Sequence, residues 1–233
     1  MFVITTNRFY KRIYLSVNGF LIATHFGPTV LVVTIAFLLS LTQYSIFDSA
    51  KIAAAILAGQ CVVGWSNDLV DFPRDLASAR MRKPLVAGAV SSGALKRAIF
   101  IALSLAVVLS FIGPLGRNGG ALHCLGLLSA TLYNFKLKET IFSALPYIIS
   151  FGAAPWAIYL SADKNPSPWL VLAFMIFASA FHFLNVVKDL ESDLQQGVLG
   201  LPQRLGRQKS IAAALVLILC GVTLLALKWR VLF

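Results

Sequence analysis

Apolar residues in this chain are gathered into long runs separated by short polar or Gly/Pro-containing breaks. Seven runs stand out, at about residues 18–43, 50–68, 93–113, 121–136, 140–161, 168–188 and 210–230. Each is close to the ~20 residues a helix needs to cross the hydrocarbon core of a bilayer. No stretch of about ten residues alternates polar and apolar positions as a transmembrane β-strand would. The pattern predicts an all-α, polytopic membrane helical bundle of about seven transmembrane helices. With no linker or low-complexity break, residues 1–233 read as a single integral membrane domain.

Composition agrees: 58% of the residues are hydrophobic, only 12% are charged, and the mean hydropathy is +0.82. Soluble domains carry roughly twice that charged fraction. The net charge of +11 does not form a basic stripe with interleaved aromatics, so nucleic acid is excluded as a partner. The Lys and Arg residues lie between apolar runs, where they set topology and meet lipid headgroups. With the N-terminus inside, fifteen fall on one side and five on the other, which predicts a multi-pass protein of the cell inner membrane with its N-terminus cytoplasmic. Arg8, Lys11 and Arg12 precede an apolar run too long for a signal peptide, so that run reads as a retained first span. Cys61, Cys124 and Cys220 lie singly in apolar runs and read as small core hydrophobes.

The chain holds nine acidic residues, and six of them (Asp68, Asp71, Asp75, Asp189, Glu191, Asp193) fall in two short stretches on the expected cytoplasmic side. On a helix, Asp68, Asp71 and Asp75 share a face, with Asn67 one turn before Asp71. Asn185, Asp189 and Asp193 repeat the spacing on a second helix, and Glu191 points elsewhere. Anionic faces at the edge of hydrocarbon are costly and mark a functional site. Mg²⁺ takes one or two carboxylates together with phosphate oxygens and water, so two opposed faces suit two ions bridged by a diphosphate. Arg74, Arg80, Arg82, Lys83, Lys138 and Lys188 lie near enough in sequence to neutralise the remaining phosphate charge. An acidic helix end followed by a basic Gly/Pro loop occurs near residue 70 and again near residue 190, a loose internal echo.

These residues carry a family resemblance. Asn67-Asp68-x-x-Asp71-x-x-x-Asp75 resembles the first motif of the UbiA superfamily of intramembrane prenyltransferases, and Asp189-x-x-x-Asp193 is similar to its second. Lys83-Pro84-Leu85-x-x-Gly88 resembles the family's Arg-Pro-Leu-x-x-Gly, Tyr133 with Leu137-Lys138 its Tyr and Leu-Lys turn, and Gly197 with Leu201-Pro202-x-x-Leu205-Gly206 the stretch after the second motif. The resemblance implies that Asn67, Asp68, Asp71, Asp75, Asp189 and Asp193, with Asn185 beside them, hold Mg²⁺ ions on a prenyl diphosphate. It implies Asp71, Asp189 and Lys138 as catalytic residues. Arg74, Arg80, Arg82, Lys83, Tyr133, Lys138 and Lys188 would bind the diphosphate. The implied reaction is ionisation of an allylic prenyl diphosphate and capture of the cation by a hydrophobic, aromatic, quinone-precursor-like acceptor in a dry cavity. Two departures stand beside it. Lys83 keeps the charge of the family's Arg but loses its fork, and one span follows the second motif where the family has three.

Other readings remain open. The same metal site suits a lipid or sugar-phosphate acceptor, and a non-catalytic isoprenoid-phosphate binder would share it. A cation carrier needs its acids near mid-membrane, whereas these lie at helix ends. His182 shares a helical face with Asn185 and Asp189 and either meets the acceptor or is a packed histidine. His25, near Pro28, either lines the cavity mouth or is satisfied beside a proline kink. Tyr133 either binds phosphate or anchors at the interface, and His123 carries no assignment. Nothing resembles a P-loop, a Ser-His-Asp set or a dinucleotide fingerprint.

Overall fold

The computed structural model describes residues 16–228. Arg8, Lys11, Arg12 and Arg230, which entered the topology count, lie outside the described residues. All regular structure within them is helical: α1 (Ser16–Ala23), α2 (Phe26–Ser40), α3 (Ile46–Ala77), α4 (Ser92–Ile112), α5 (Gly116–Phe135), a 3₁₀ turn (Leu137–Glu139), α6 (Leu145–Leu160), α7 (Pro168–Val187), α8 (Leu190–Gln195) and α9 (Leu201–Lys228). The seven expected runs all fall on helices. By length and composition α3, α4, α7 and α9 each suffice to cross a membrane, and α1 with α2 make a fifth span bent by 62°. The chain is an integral membrane protein.

Two expected spans have a different basis. The apolar α6 has only 16 residues, and α5 mixes Arg117, Asn118 and several glycines into its apolar sequence. Small residues compensate by letting backbones approach: a Cβ on Gly119 would stand 2.4 Å from the Ala157 carbonyl of α6. In lipid, where apolar contact offers little gain, such close packing drives helix association. α5 packs against α3, α4 and α6, while α6 packs on α7 and α7 on α9.

Local chemistry sets the ends that matter. Ser45 and Ser91 cap α3 and α4, each accepting from the backbone N–H three residues on, at 3.2 Å. The first span breaks at His25, whose φ of 55° is left-handed, and Pro28 takes a place in the first turn of α2 where no N–H is needed. Trp65 fixes this break from α3, its indole N–H reaching both the Phe20 carbonyl and Thr24 Oγ1 at 3.1 Å. Leu85, Val90 and Leu95 tuck the loop after α3 under Phe20, Trp65 and Phe72.

Two boundaries differ from the sequence pattern. α3 continues nine residues beyond the expected end at residue 68, through Pro73 to Ala77, because its charged turn is held by side-chain pairing instead of by lipid. The second acidic stretch is not one helix with Asn185: α7 ends at Val187, and Asp189, with φ −108° and ψ 5°, starts the separate α8.

Because a Cβ on Gly64 would stand 2.8 Å from the carbonyl oxygens of Ala23 and Thr24, Gly64→Val forces α3 off the α1–α2 break. The expected cost is about 1–3 kcal/mol, read as a lower thermal unfolding midpoint in detergent. Gly27→Ala, with no atom within 4 Å of its Cβ, serves as the unaffected control.

Candidate active site

A cavity of about 620 Å³ runs through the bundle. Its deep end is apolar, closed by Ile52, Leu115 and Ile158, each at most 2% exposed. Its other end is polar and collects the two acidic stretches from α3 and α8 with the basic turns between helices. Asn67, Asp71, Asn185, Asp189 and Asp193 all line it, as do Arg74, Arg80, Lys83, Lys138, Lys188 and Tyr133.

Ion pairs organise this end. Asp71 Oδ1 accepts from Arg74 at 2.6 Å and from Lys138. Arg74 reaches on to Glu139 at 2.6 Å, tying the 3₁₀ turn to α3. Arg80 spans the two acidic stretches, with one nitrogen 3.2 Å from Asp75 Oδ1 and the other 3.2 Å from Asp189 Oδ1. Gln203, at the start of α9, donates to Asp193 Oδ2 at 2.8 Å. Asn134, buried in α5, donates to the Val63 carbonyl at 2.8 Å and to Ser66 Oγ at 2.9 Å, locking α5 to α3 one turn before Asn67.

The expected site residues therefore divide. Asp68 and Asp75 share a face with Asp71, yet neither lines the cavity, and both side chains are only 2% exposed. Asp68 Oδ1 receives Lys83 Nζ at 2.6 Å and His25 Nε2 at 3.1 Å. Asp75 Oδ2 makes no hydrogen bond among the described residues. Arg82 is exposed and lies outside the cavity. Tyr133 lines it, edge-on to Tyr147 at 5.4 Å. His182 does not line the cavity and is fully buried behind those rings, with Nε2 3.1 Å from Ser143 Oγ and Nδ1 without a hydrogen-bond partner among the described residues. His25 lines the cavity at the helix break, and His123 lines it from α5, held by Ser110 Oγ at 2.6 Å.

Glu139, Gln203 and Asn134 were not singled out from the sequence. For the first two the signal was positional: Glu139 follows Leu137-Lys138, and Gln203 sits inside the Leu-Pro-x-x-Leu-Gly stretch. Asn134 gave none, since an amide in an apolar run has no spacing partner.

Among the described residues no three Asp, Glu, His or Cys side chains approach closely enough to hold a metal ion by themselves. The donors facing the cavity are hard oxygens presented by α3, α7 and α8. They fit a divalent cation completed by phosphate oxygens and water, the usual arrangement for Mg²⁺. Burial holds the Lys138 ammonium below its usual range, opposed by Asp71. Burial likewise pushes the Asp193 carboxyl above the usual range, opposed by the Gln203 hydrogen bond.

Fold and site together define an intramembrane helical bundle around a cavity with an acid- and base-lined mouth. A profile of the UbiA prenyltransferase family matches residues 29–233, and the chain belongs to that family. Digeranylgeranylglyceryl phosphate synthase of Archaeoglobus fulgidus is 30% identical, aligned over 68% of this chain and 55% of its own length. The chain thus spans about half the length of that curated relative. A solved UbiA homolog from Archaeoglobus fulgidus bound to GPP and Mg²⁺ superposes with a TM-score of 0.72 at 15% identity, covering 89% of this chain and 76% of that one. The apo structure of a UbiA homolog from Aeropyrum pernix K1 also gives 0.72, at 22% identity over 87% of this chain and 78% of that one. At these identities the likeness is one of fold.

The raised Asp193 carboxyl carries a stability consequence. Between the ordinary carboxylate value and the raised one, the folded protein keeps a proton that the unfolded chain has lost. Stability therefore falls as pH rises through that window and stays lowered above it. Asp193→Asn is expected to unfold at a higher temperature than the parent at pH 7, with the difference closing as pH drops below the ordinary carboxylate range; differential scanning fluorimetry in detergent reads both.

Proposed function

We propose that the protein is a Mg²⁺-dependent intramembrane prenyltransferase. The observation that carries this reading is the polarity gradient of one cavity: Asp71, Asp189 and Asp193 beside Arg80, Lys83 and Lys138 at the mouth, and an apolar floor at Ile52, Leu115 and Ile158. An allylic prenyl diphosphate matches both ends. Its tail lies along the apolar walls, and its phosphates meet the bases that now satisfy the acids. Asn67, Asp71, Asn185, Asp189 and Asp193 would hold divalent cations there, with Asp68 and Asp75 fixing the bases behind them. Bound Mg²⁺ would supply positive charge to the departing diphosphate.

In the proposed reaction the bond between the allylic carbon and the bridging oxygen breaks, and both electrons leave with the diphosphate. Lys138 and Arg80 donate to the phosphate oxygens as their charge grows. The allylic cation would be left in a mainly apolar chamber lined by the aromatic side chains Tyr133 and Tyr147, whose rings could stabilise it. An acceptor nucleophile then forms the new carbon bond and sheds its proton. Digeranylgeranylglyceryl phosphate synthase is named for a phosphate-bearing lipid product. That relative favours a lipid alcohol phosphate as acceptor over the aromatic quinone precursor expected from the motifs. The excess of Lys and Arg in the loops at this end supports a mouth on the cytoplasmic face of the inner membrane, and the reading takes the chain as one membrane domain.

The test is release of labelled diphosphate by the protein in lipid nanodiscs with Mg²⁺ and geranyl, farnesyl or geranylgeranyl diphosphate. Asp71→Asn and Asp189→Asn are each expected to slow release about 10²- to 10³-fold, the loss typical of removing one transition-state electrostatic contact. Absence of release with every donor, or release indifferent to both substitutions, rejects the reading.

A further inference from the structure

Behind the mouth of the main cavity, at the bend between α1 and α2, lies a second pocket of about 340 Å³. His25, Arg80 and Lys83 line both spaces, so a single layer of side chains separates them. The pocket is cationic. Of the groups that line it, Asp68 alone is acidic, and that carboxylate is already taken by Lys83 and His25. Arg82 is exposed, faces this pocket and not the main cavity, and makes no ion pair among the described residues. The rim is apolar and open: Ile22 is 58% exposed and Met81 66%. The left-handed His25 and the 62° bend hold α1 away from the line of α2, which keeps the pocket open at the loop following α3.

A cationic wall with an apolar lip at the end of a membrane-spanning helix matches an anionic amphiphile lying in the leaflet. Its head would meet Arg82 and Lys83, and its chain would pass over Ile22 and Met81 into lipid. Resting on the prenyltransferase reading, we propose that this pocket docks the acceptor: a long-chain lipid alcohol carrying a phosphate, seated on Arg82 and presented to the donor across the His25–Lys83 layer. The shared wall gives the reason. A group bound here adjoins the donor's phosphates without occupying the chamber that holds the donor's tail.

The experiment uses the full chain in a sugar-headgroup detergent, free of phosphate. Binding of a labelled alkylglycerol phosphate and of the matching unphosphorylated alkylglycerol is measured for the parent, Arg82→Ala and Arg82→Lys. With a phosphate-bearing amphiphile as ligand, Arg82→Ala weakens the phosphorylated probe about tenfold or more, Arg82→Lys restores part of the loss, and the unphosphorylated probe is unaffected. In turnover the same substitution raises KM for the phosphorylated acceptor while KM for the prenyl diphosphate stays put. Equal weakening of both probes, or of neither, overturns the proposal. So does equal displacement by an ordinary bilayer phospholipid, which marks an annular-lipid site, or by inorganic phosphate, which removes the need for a chain. Should the parent release no diphosphate at all, the enzymatic reading fails on that result, while the binding measurement still decides for or against this pocket.

Discussion

Carboxylates at the edge of hydrocarbon are tolerated only with partners, and that constraint shapes this bundle. Asp68 and Asp75 are withdrawn almost entirely from solvent, where an unpaired carboxylate would cost several kcal/mol. Lys83 and Arg80 prevent this, and both come from the loop after α3. That loop is in turn pinned by Leu85, Val90 and Leu95 under the first span. The apolar packing of a connecting segment thus sets the position of the charges, and the charges let α3 remain helical past its apolar run. Breaking a buried pair from one side leaves its partner uncompensated, so this layer is far less tolerant of change than the exposed Lys51–Asp48 pair at the opposite end of α3.

The two acidic stretches divide the work unequally. Asp71, Asp189 and Asp193 face the cavity, while Asp68 and Asp75, on the same helix face as Asp71, turn to the loop. Carboxylates that read as one row in the sequence therefore split in the structure, Asp71 toward the cavity and Asp68 and Asp75 toward the loop after α3. Arg80 joins the two stretches by holding Asp75 with one guanidinium nitrogen and Asp189 with the other.

The all-helical class and the placing of the helices along the chain were legible in the sequence because they rest on local pattern, runs near bilayer length, although only four helices, or five with the bent first pair, are long and apolar enough to cross a membrane among the described residues. What was not legible depends on how helices face one another. The break between Asn185 and Asp189 arises where α8 turns away from α7, and spacing alone cannot distinguish a continued helix from a restarted one. Arg82 falls in a basic run that suggests a common target, yet it lines only the smaller pocket at the α1–α2 bend, while Arg80 and Lys83 line that pocket and the main cavity alike. Glu139 and Gln203 become partners only once the 3₁₀ turn and α9 are brought to α3 and α8.

The pairing at the cavity mouth also fixes its charge balance. Asp68, Asp71, Asp75, Glu139, Asp189 and Asp193 stand against Arg74, Arg80, Lys83, Lys138 and Lys188, six negative charges against five fixed positive ones. The paired cluster by itself is close to neutral, so long-range attraction of an anion falls to the basic residues around it, Arg82, Lys96, Arg97, Lys136, Arg204, Arg207 and Lys209, which outnumber the remaining acid there, Glu191. A diphosphate seated among the pairs would still need added positive charge, which divalent cations would supply. Salt would weaken the attraction to the exposed loops while screening the partly buried pairs much less.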